Sequence, residues 1–253
     1  MEKIEELKQR FNFPPLRQNY NLSGKISVIT PTARDKFIDN IRQNYAGQLY
    51  QDRELLIILN NSRLNQQAWQ KHFNQIPGIR VFQLGESTTL GECLNFGISQ
   101  ARGDYISKMD DDDFYGPYYL TDQLHYLTTT EADITGKLGR FIYFEESQSL
   151  RFCHANECLH YVNGVKGATF LVKRAVFNQL SFPGRNQAED TFFIQGCRRI
   201  GFKFYAGDPF NYVQIRMTNK KNHTWQLNDQ DLSQRNRCQE IIRTDNFKPL
   251  ITC

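Results

Sequence analysis

The sequence predicts an α/β protein whose first half carries a mainly parallel, doubly wound sheet. Short apolar runs at residues 26–29, 54–59, 79–84 and 104–109 alternate with segments in which apolar side chains recur at helical spacing. The run 55–59 is apolar at every position, as a strand covered on both faces requires. Turn-forming clusters, Asn60-Asn61-Ser62 and Pro77-Gly78 among them, separate the runs. Strands alternating with helices form βαβ units, and those build parallel sheets.

Taken in order, residues 1–24 read as a polar arm with a short helix, Pro14-Pro15 and an Asn-rich approach to Gly24. The first strand, 26–29, stops at Thr30-Pro31-Thr32. Phe37, Ile38, Ile41 and Tyr45 mark one helix face, and Leu64, Ala68, Trp69 and Phe73 a second. Leu90, Cys93, Leu94, Ile98 and Ala101 mark a third, closed by Gly103. The fourth strand runs directly into Asp110, Asp111, Asp112 and Asp113.

The second half is less regular. It predicts a helix over 117–128, an antiparallel hairpin from 139–144 and 150–154, and a strand at 168–173 leading into a helix at 174–180. A further helix begins near Glu189 and ends before Gly201; strands at 202–205 and 212–216 follow. The polar stretch 226–253 reads as a C-terminal tail.

Composition removes several function classes. The 253 residues carry 31 Lys+Arg against 27 Asp+Glu, a net charge of +4 spread along the chain, so no nucleic-acid partner is expected. The first ten residues lack the apolar core of a secretion signal, and no apolar run approaches the ~20 residues that span a bilayer. A cytoplasmic protein is expected, with room for peripheral contact at the inner face of the membrane. The six cysteines, Cys93, Cys153, Cys158, Cys197, Cys238 and Cys253, show no paired spacing and read as free thiols. Cys153, His154, Cys158 and His160 likewise lack the tight pairs of a zinc site.

The acidic cluster carries the functional argument. Like charges crowded at a strand end repel and resist ionisation unless a cation compensates. Ligands of open α/β sheets gather outside the carboxyl ends of the strands, where this cluster falls. A divalent cation held by one or two carboxylates and by phosphate oxygens accounts for such an arrangement; a solvated acidic turn is the plain alternative. An EF-hand loop fits poorly, because Tyr115 stands at its fifth position and Asp122 where a bidentate Glu belongs.

The order of motifs adds a resemblance. Leu90-Gly91, Asn95, Ala101-Arg102-Gly103-Asp104-Tyr105-Ile106, then Met109-Asp110 with Asp112, Asp113 and Pro117, resembles family 2 glycosyltransferases of the GT-A fold, bacterial type. Ser27-Val28-Ile29-Thr30-Pro31-Thr32 matches that family's first strand, and Gly167-Ala168-Thr169-Phe170, Glu189-Asp190 and His223 follow in its order. The resemblance covers residues 25–225 and implies two parts: a Rossmann-like nucleotide-sugar-binding half, 25–113, and a mixed α/β acceptor-binding half, 114–225.

Carried over residue by residue, the resemblance implies an inverting, metal-dependent transfer of a sugar from a nucleoside-diphosphate donor to a hydroxyl acceptor in bacterial surface glycan or glycoconjugate synthesis. Asp110 and Asp111 would face the donor, Asp112 and His223 would ligate Mn2+ or Mg2+, and Asp190 would be the catalytic base. Glu189 and Trp225 would hold the acceptor; Thr30, Pro31, Thr32, Arg34 and Asn61 would line the nucleotide pocket. The family's usual aspartate after the second strand is replaced by Asn61, which accepts through its oxygen but also donates. UDP or dTDP remains the favoured donor. That replacement also keeps open a catalytically decayed module of the same fold that binds glycan or acts as a scaffold. A sugar nucleotidyltransferase is disfavoured, because 30–34 has no glycine.

Overall fold

The computed structural model describes residues 2–11, 20–219 and 227–252. Its larger sheet begins with four parallel strands. β1 (Ile26–Thr32) lies between β2 (Arg53–Leu59) and β4 (Tyr105–Lys108), with β3 (Ile79–Gln83) outside β2. The sheet continues through β10 (Leu171–Lys173), β6 (Ile134–Gly136), β11 (Phe204–Ala206) and β9 (His160–Val162). β10 runs antiparallel to β4, so the regular alternation read from the sequence ends there.

Strand β2 shows why the apolar runs become central strands. Leu55, Ile57 and Leu59 pack into the cluster on one face, with Tyr45, Trp69 and Phe73. Leu56 and Ile58 point into the other, with Cys93, Leu94 and Ile106. Helices α2 (Ile38–Ala46), α3 (Gln66–His72) and α4 (Leu90–Gln100) cover these faces. Helix α4 starts on a capping box in which the Thr89 hydroxyl and the Glu92 carboxylate each satisfy an N–H of the other residue.

The end of this sheet remote from the acidic cluster is closed by a buried carboxylate. Glu54 accepts hydrogen bonds from Ser27 Oγ (2.6 Å), the Arg102 N–H (2.6 Å) and Arg80 Nη2 (2.8 Å). A Cβ on Gly103 would lie closer than 3.0 Å to the backbone of Lys25 and Ser27, so only glycine allows this approach. Much of the 101–104 motif is therefore a strand junction. Asn95 is structural too: its amide pairs with the backbone N–H and C=O of Phe182.

A second sheet runs β13 (Gln239–Arg243), β8 (Ser149–Cys153), β7 (Arg140–Phe144), β12 (Tyr212–Arg216), β5 (Phe114–Tyr115). β7 and β8 form the expected antiparallel hairpin. The helix expected at 117–128 is α5 (Tyr119–Thr129), and the one expected at 174–180 is a short 3-10 turn, Arg174–Asn178. The ends of the described chain are built into this lobe. Ile4 of α1 (Glu2–Arg10) and Ile251 of α8 (Lys248–Ile251) are buried beside Phe141 and Phe152. The stretch read as a polar tail supplies α7 (Asp229–Arg235), β13 and α8.

The cysteine expectation needs correction. Cys153 and Cys238 form a disulfide, with Cα atoms 4.0 Å apart, whereas Cys93, Cys158 and Cys197 are free. Their separation of 85 residues hides the pair from any spacing rule; the antiparallel pairing of β13 with β8 brings them together.

Candidate active site

The carboxyl ends of β1 and β4, the start of α6 (Glu189–Ile200) and the end of β12 open onto one cavity of about 660 Å³. Helix α6 starts sharply. Ala188 sits in the left-handed region (φ 59°), a conformation that a residue with a Cβ holds only when its surroundings impose it. The bend puts Glu189 and Asp190 on the cavity wall with the acidic cluster.

The four aspartates have different surroundings. Asp111 is buried and spent on the protein's own donors: Thr32 Oγ1 at 2.5 Å, Arg34 Nε at 3.2 Å, and a further bond from Arg34 Nη2. Asp113 is buried too, accepting from Tyr212 O–H (2.7 Å) and the Ile215 N–H (3.0 Å). Asp110 and Asp112 keep side-chain exposures of 35% and 15%, so they are the pair open to a ligand. Asp110 binds Lys108 Nζ at 2.6 Å, and Asp112 lies 3.0 Å from Arg34 Nη2.

The electrostatics follow this placement. Burial and then the Asp113 and Asp111 charges hold the Asp112 carboxyl well above its ordinary range. Burial and the Asp110 charge push Asp113 up to about 6. Burial raises Glu189 while Lys108 opposes it. Lys166, also on the wall, is lowered by burial and by the neighbouring Arg140. Among the described residues no group of three or more His, Cys, Asp or Glu side chains could hold a metal ion by itself. Asp112, a carboxylate that reaches the cavity amid like charges a cation would offset, nevertheless fits a divalent ion whose remaining ligands are diphosphate oxygens and water.

Several expected pocket residues fall elsewhere. Pro31, Thr32 and Arg34 reach the cavity, but Thr30 is buried within β1. Asn60 lines the wall; Asn61 uses its amide on the Ala33 carbonyl (2.9 Å) and its oxygen on the Arg63 N–H (3.0 Å). His223 and Trp225, with Lys220 and Lys221 beside them, lie outside the described residues. Five wall cations were not anticipated: Lys108, Arg140, Lys166, Arg216 and Arg235. A signal existed for Lys108, a charge inside an apolar strand directly before the aspartates. Arg235 carried none, because α7 reaches the site only through tertiary folding.

Comparison with known proteins identifies the fold and the family. The O-antigen biosynthesis glycosyltransferase WbnJ of Escherichia coli is 27% identical over 174 residues, covering 65% of this chain and 68% of WbnJ. The putative teichuronic acid biosynthesis glycosyltransferase TuaG of Bacillus subtilis is 24% identical over 195 residues, 74% of this chain and 77% of TuaG. The mannosyltransferase PcManGT of Pyrobaculum calidifontis, solved with GDP-Man and Mn2+, superposes with a TM-score of 0.65 at 15% identity, over 98% of this chain and 74% of its own. S. aureus TarS 1–349 in complex with UDP-GlcNAc gives 0.60 at 19% identity, over 77% of this chain but only 59% of that fragment. The fold is GT-A-like, with mixed α/β sheets in two lobes. No described helix is long and apolar enough to cross a membrane. Residues 27–178 match glycosyl transferase family 2, more than half of the sequence, and the chain belongs to that family as a glycosyltransferase acting on a nucleotide-sugar donor.

Proposed function

We propose that the chain is an inverting, divalent-metal-dependent transferase that moves a sugar from a uridine or thymidine diphosphate donor to a hydroxyl of a growing bacterial surface glycan or glycoconjugate. The observation that carries this reading is the opening of Asp110, Asp112 and Asp190 onto one cavity. The likeness to WbnJ and TuaG supports the acceptor class; the UDP-GlcNAc complex of TarS supports a uridine nucleotide, and the GDP-Man and Mn2+ complex of PcManGT supports a nucleoside-diphosphate sugar and the ion.

In this reading Asp112 holds Mn2+ or Mg2+, and the ion when bound offsets the negative charge that gathers on the departing diphosphate. Asp110 accepts hydrogen bonds from hydroxyls of the donor. Asp190 takes the proton from the acceptor hydroxyl as its oxygen attacks the anomeric carbon. The new C–O bond forms as the bond to the phosphate oxygen breaks, and that electron pair leaves with the nucleoside diphosphate. Attack from the face opposite the leaving group inverts the configuration. Glu189 orients the acceptor beside Asp190, and Pro31 and Thr32 form the approach to the nucleotide.

The test incubates the full chain with Mn2+ and a panel of nucleotide sugars and measures nucleoside diphosphate release. Asp112→Asn and Asp190→Asn should each remove it, with melting curves showing both variants folded. Full activity in both variants would overturn the assignment.

A further inference from the structure

We propose that Lys108 is a positioning residue of the transfer reaction: its ammonium ties the donor-side Asp110 to the acceptor-side Glu189 and holds the two halves of the site at working distance. The inference rests on the transferase reading above.

Lys108 is the last residue of β4, with its side chain 7% exposed. Its Nζ lies 2.6 Å from Asp110 Oδ1 and 4.0 Å from Glu189 Oε1. Asp110 continues β4 out of the sheet, whereas Glu189 opens α6, so one side chain links two elements that reach the cavity separately. Lysine is almost never buried to this degree without charged partners, and an apolar side chain would fill the space without the desolvation cost. Packing alone therefore does not account for a cation here.

The local arrangement requires one. Asp110 and Glu189 open onto the same cavity, and two carboxylates facing each other would drive the start of α6 away from β4. The three donors of an ammonium turn that repulsion into attraction. The left-handed Ala188, one residue before Glu189, is the kind of backbone that surrounding contacts must hold, and Lys108 supplies a contact at that point. Among the described residues Lys108 is the cation found within 4.0 Å of Glu189. Asp190 follows Glu189 directly in α6, so the tie also sets the approach of the base to the donor.

The test compares wild type, Lys108→Met, Lys108→Gln, Glu189→Gln and the double variant Lys108→Met/Glu189→Gln, using the donor that is active in the panel. Lys108→Met should lower kcat by about 100-fold, the cost of an ångström-scale misplacement, while the donor KM stays within about threefold. Lys108→Gln keeps an N–H donor and loses the charge, so it should behave the same and serves if the methionine variant folds poorly. Because Lys108 acts through Glu189, the double variant should be no slower than the slower single variant, within about threefold. A kcat loss that multiplies across the two sites, an unchanged kcat, or a raised donor KM with kcat intact would each overturn the inference. A wild-type chain that turns over no donor would instead overturn the transferase reading and the inference with it.

Discussion

Gly167 leaves the space that Asp190 occupies: a Cβ built on Gly167 would lie closer than 3.0 Å to three atoms of the Asp190 side chain. The glycine is in a 3-10 turn at ordinary backbone angles, so its value here is the missing side chain. Gly167→Ala should push the Asp190 carboxylate out of line and lower kcat by about 100-fold with little change in donor KM. Nucleoside diphosphate release at saturating and limiting donor measures both, and an alanine variant with wild-type kcat would separate Asp190 from the chemistry.

The acidic cluster should cost stability when no cation is bound. The folded-state pKa of Asp112 lies above its unfolded value, so the penalty is absent in strong acid and grows as pH rises past about 4. Asp112→Asn should therefore raise the Tm of the metal-free protein at pH 7.5 by about 2–4 °C, some 1 kcal/mol, with a smaller gain at pH 4, while it abolishes turnover. A variant that melts below wild type at pH 7.5 would show that Arg34 already neutralises this carboxylate.

Glu54 should behave in the opposite way. Despite its burial, hydrogen bonds from Ser27, Arg102 and Arg80 hold its carboxyl below the ordinary range. A depressed folded pKa contributes stability that is complete above the unfolded value of about 4.3 and lost as pH falls through the folded one. Glu54→Gln should cost about 2 kcal/mol at pH 7, because it leaves Arg80 without its charge partner, and the gap to wild type should close in acid. Urea titrations at several pH values report this, and a constant gap down to pH 3 would argue against ionisation as the source.

The disulfide between Cys153 and Cys238 fastens the C-terminal segment to β8. Just beyond α7, Asn236 accepts a hydrogen bond from Arg140 Nη2 at 2.9 Å, and both residues line the cavity. Cys238→Ser should lower stability by about 2–4 kcal/mol and increase protease cleavage within 227–252. If reductant leaves the wild-type Tm unchanged, the two thiols do not pair in solution.

Local pattern made the nucleotide half legible. A fully apolar β2 belongs in the middle of a sheet, and the helix faces of α2, α3 and α4 follow from 3.6-residue spacing. The acidic cluster was visible for the same reason, since four adjacent like charges at a strand end are costly wherever the strand goes. Contacts between distant segments leave no such local trace: residues 101–104 form a strand junction and α7, within the polar 226–253 stretch, forms part of the cavity wall, and neither shows in residue spacing.

The order of strands and helices in the nucleotide half, the acidic turn after β4 and the acid pair at the start of α6 follow from the sequence alone, because short-range periodicity and charge repulsion act between neighbours in the chain. Which aspartates stay open depends on contacts made in the folded chain. Thr32, Arg34 and Tyr212 occupy Asp111 and Asp113, leaving Asp110 and Asp112 for a ligand. The tertiary structure also places Lys108 between Asp110 and Glu189 and joins Cys153 to Cys238, since these contacts depend on how far apart folded elements lie, a distance that residue spacing along the chain does not encode.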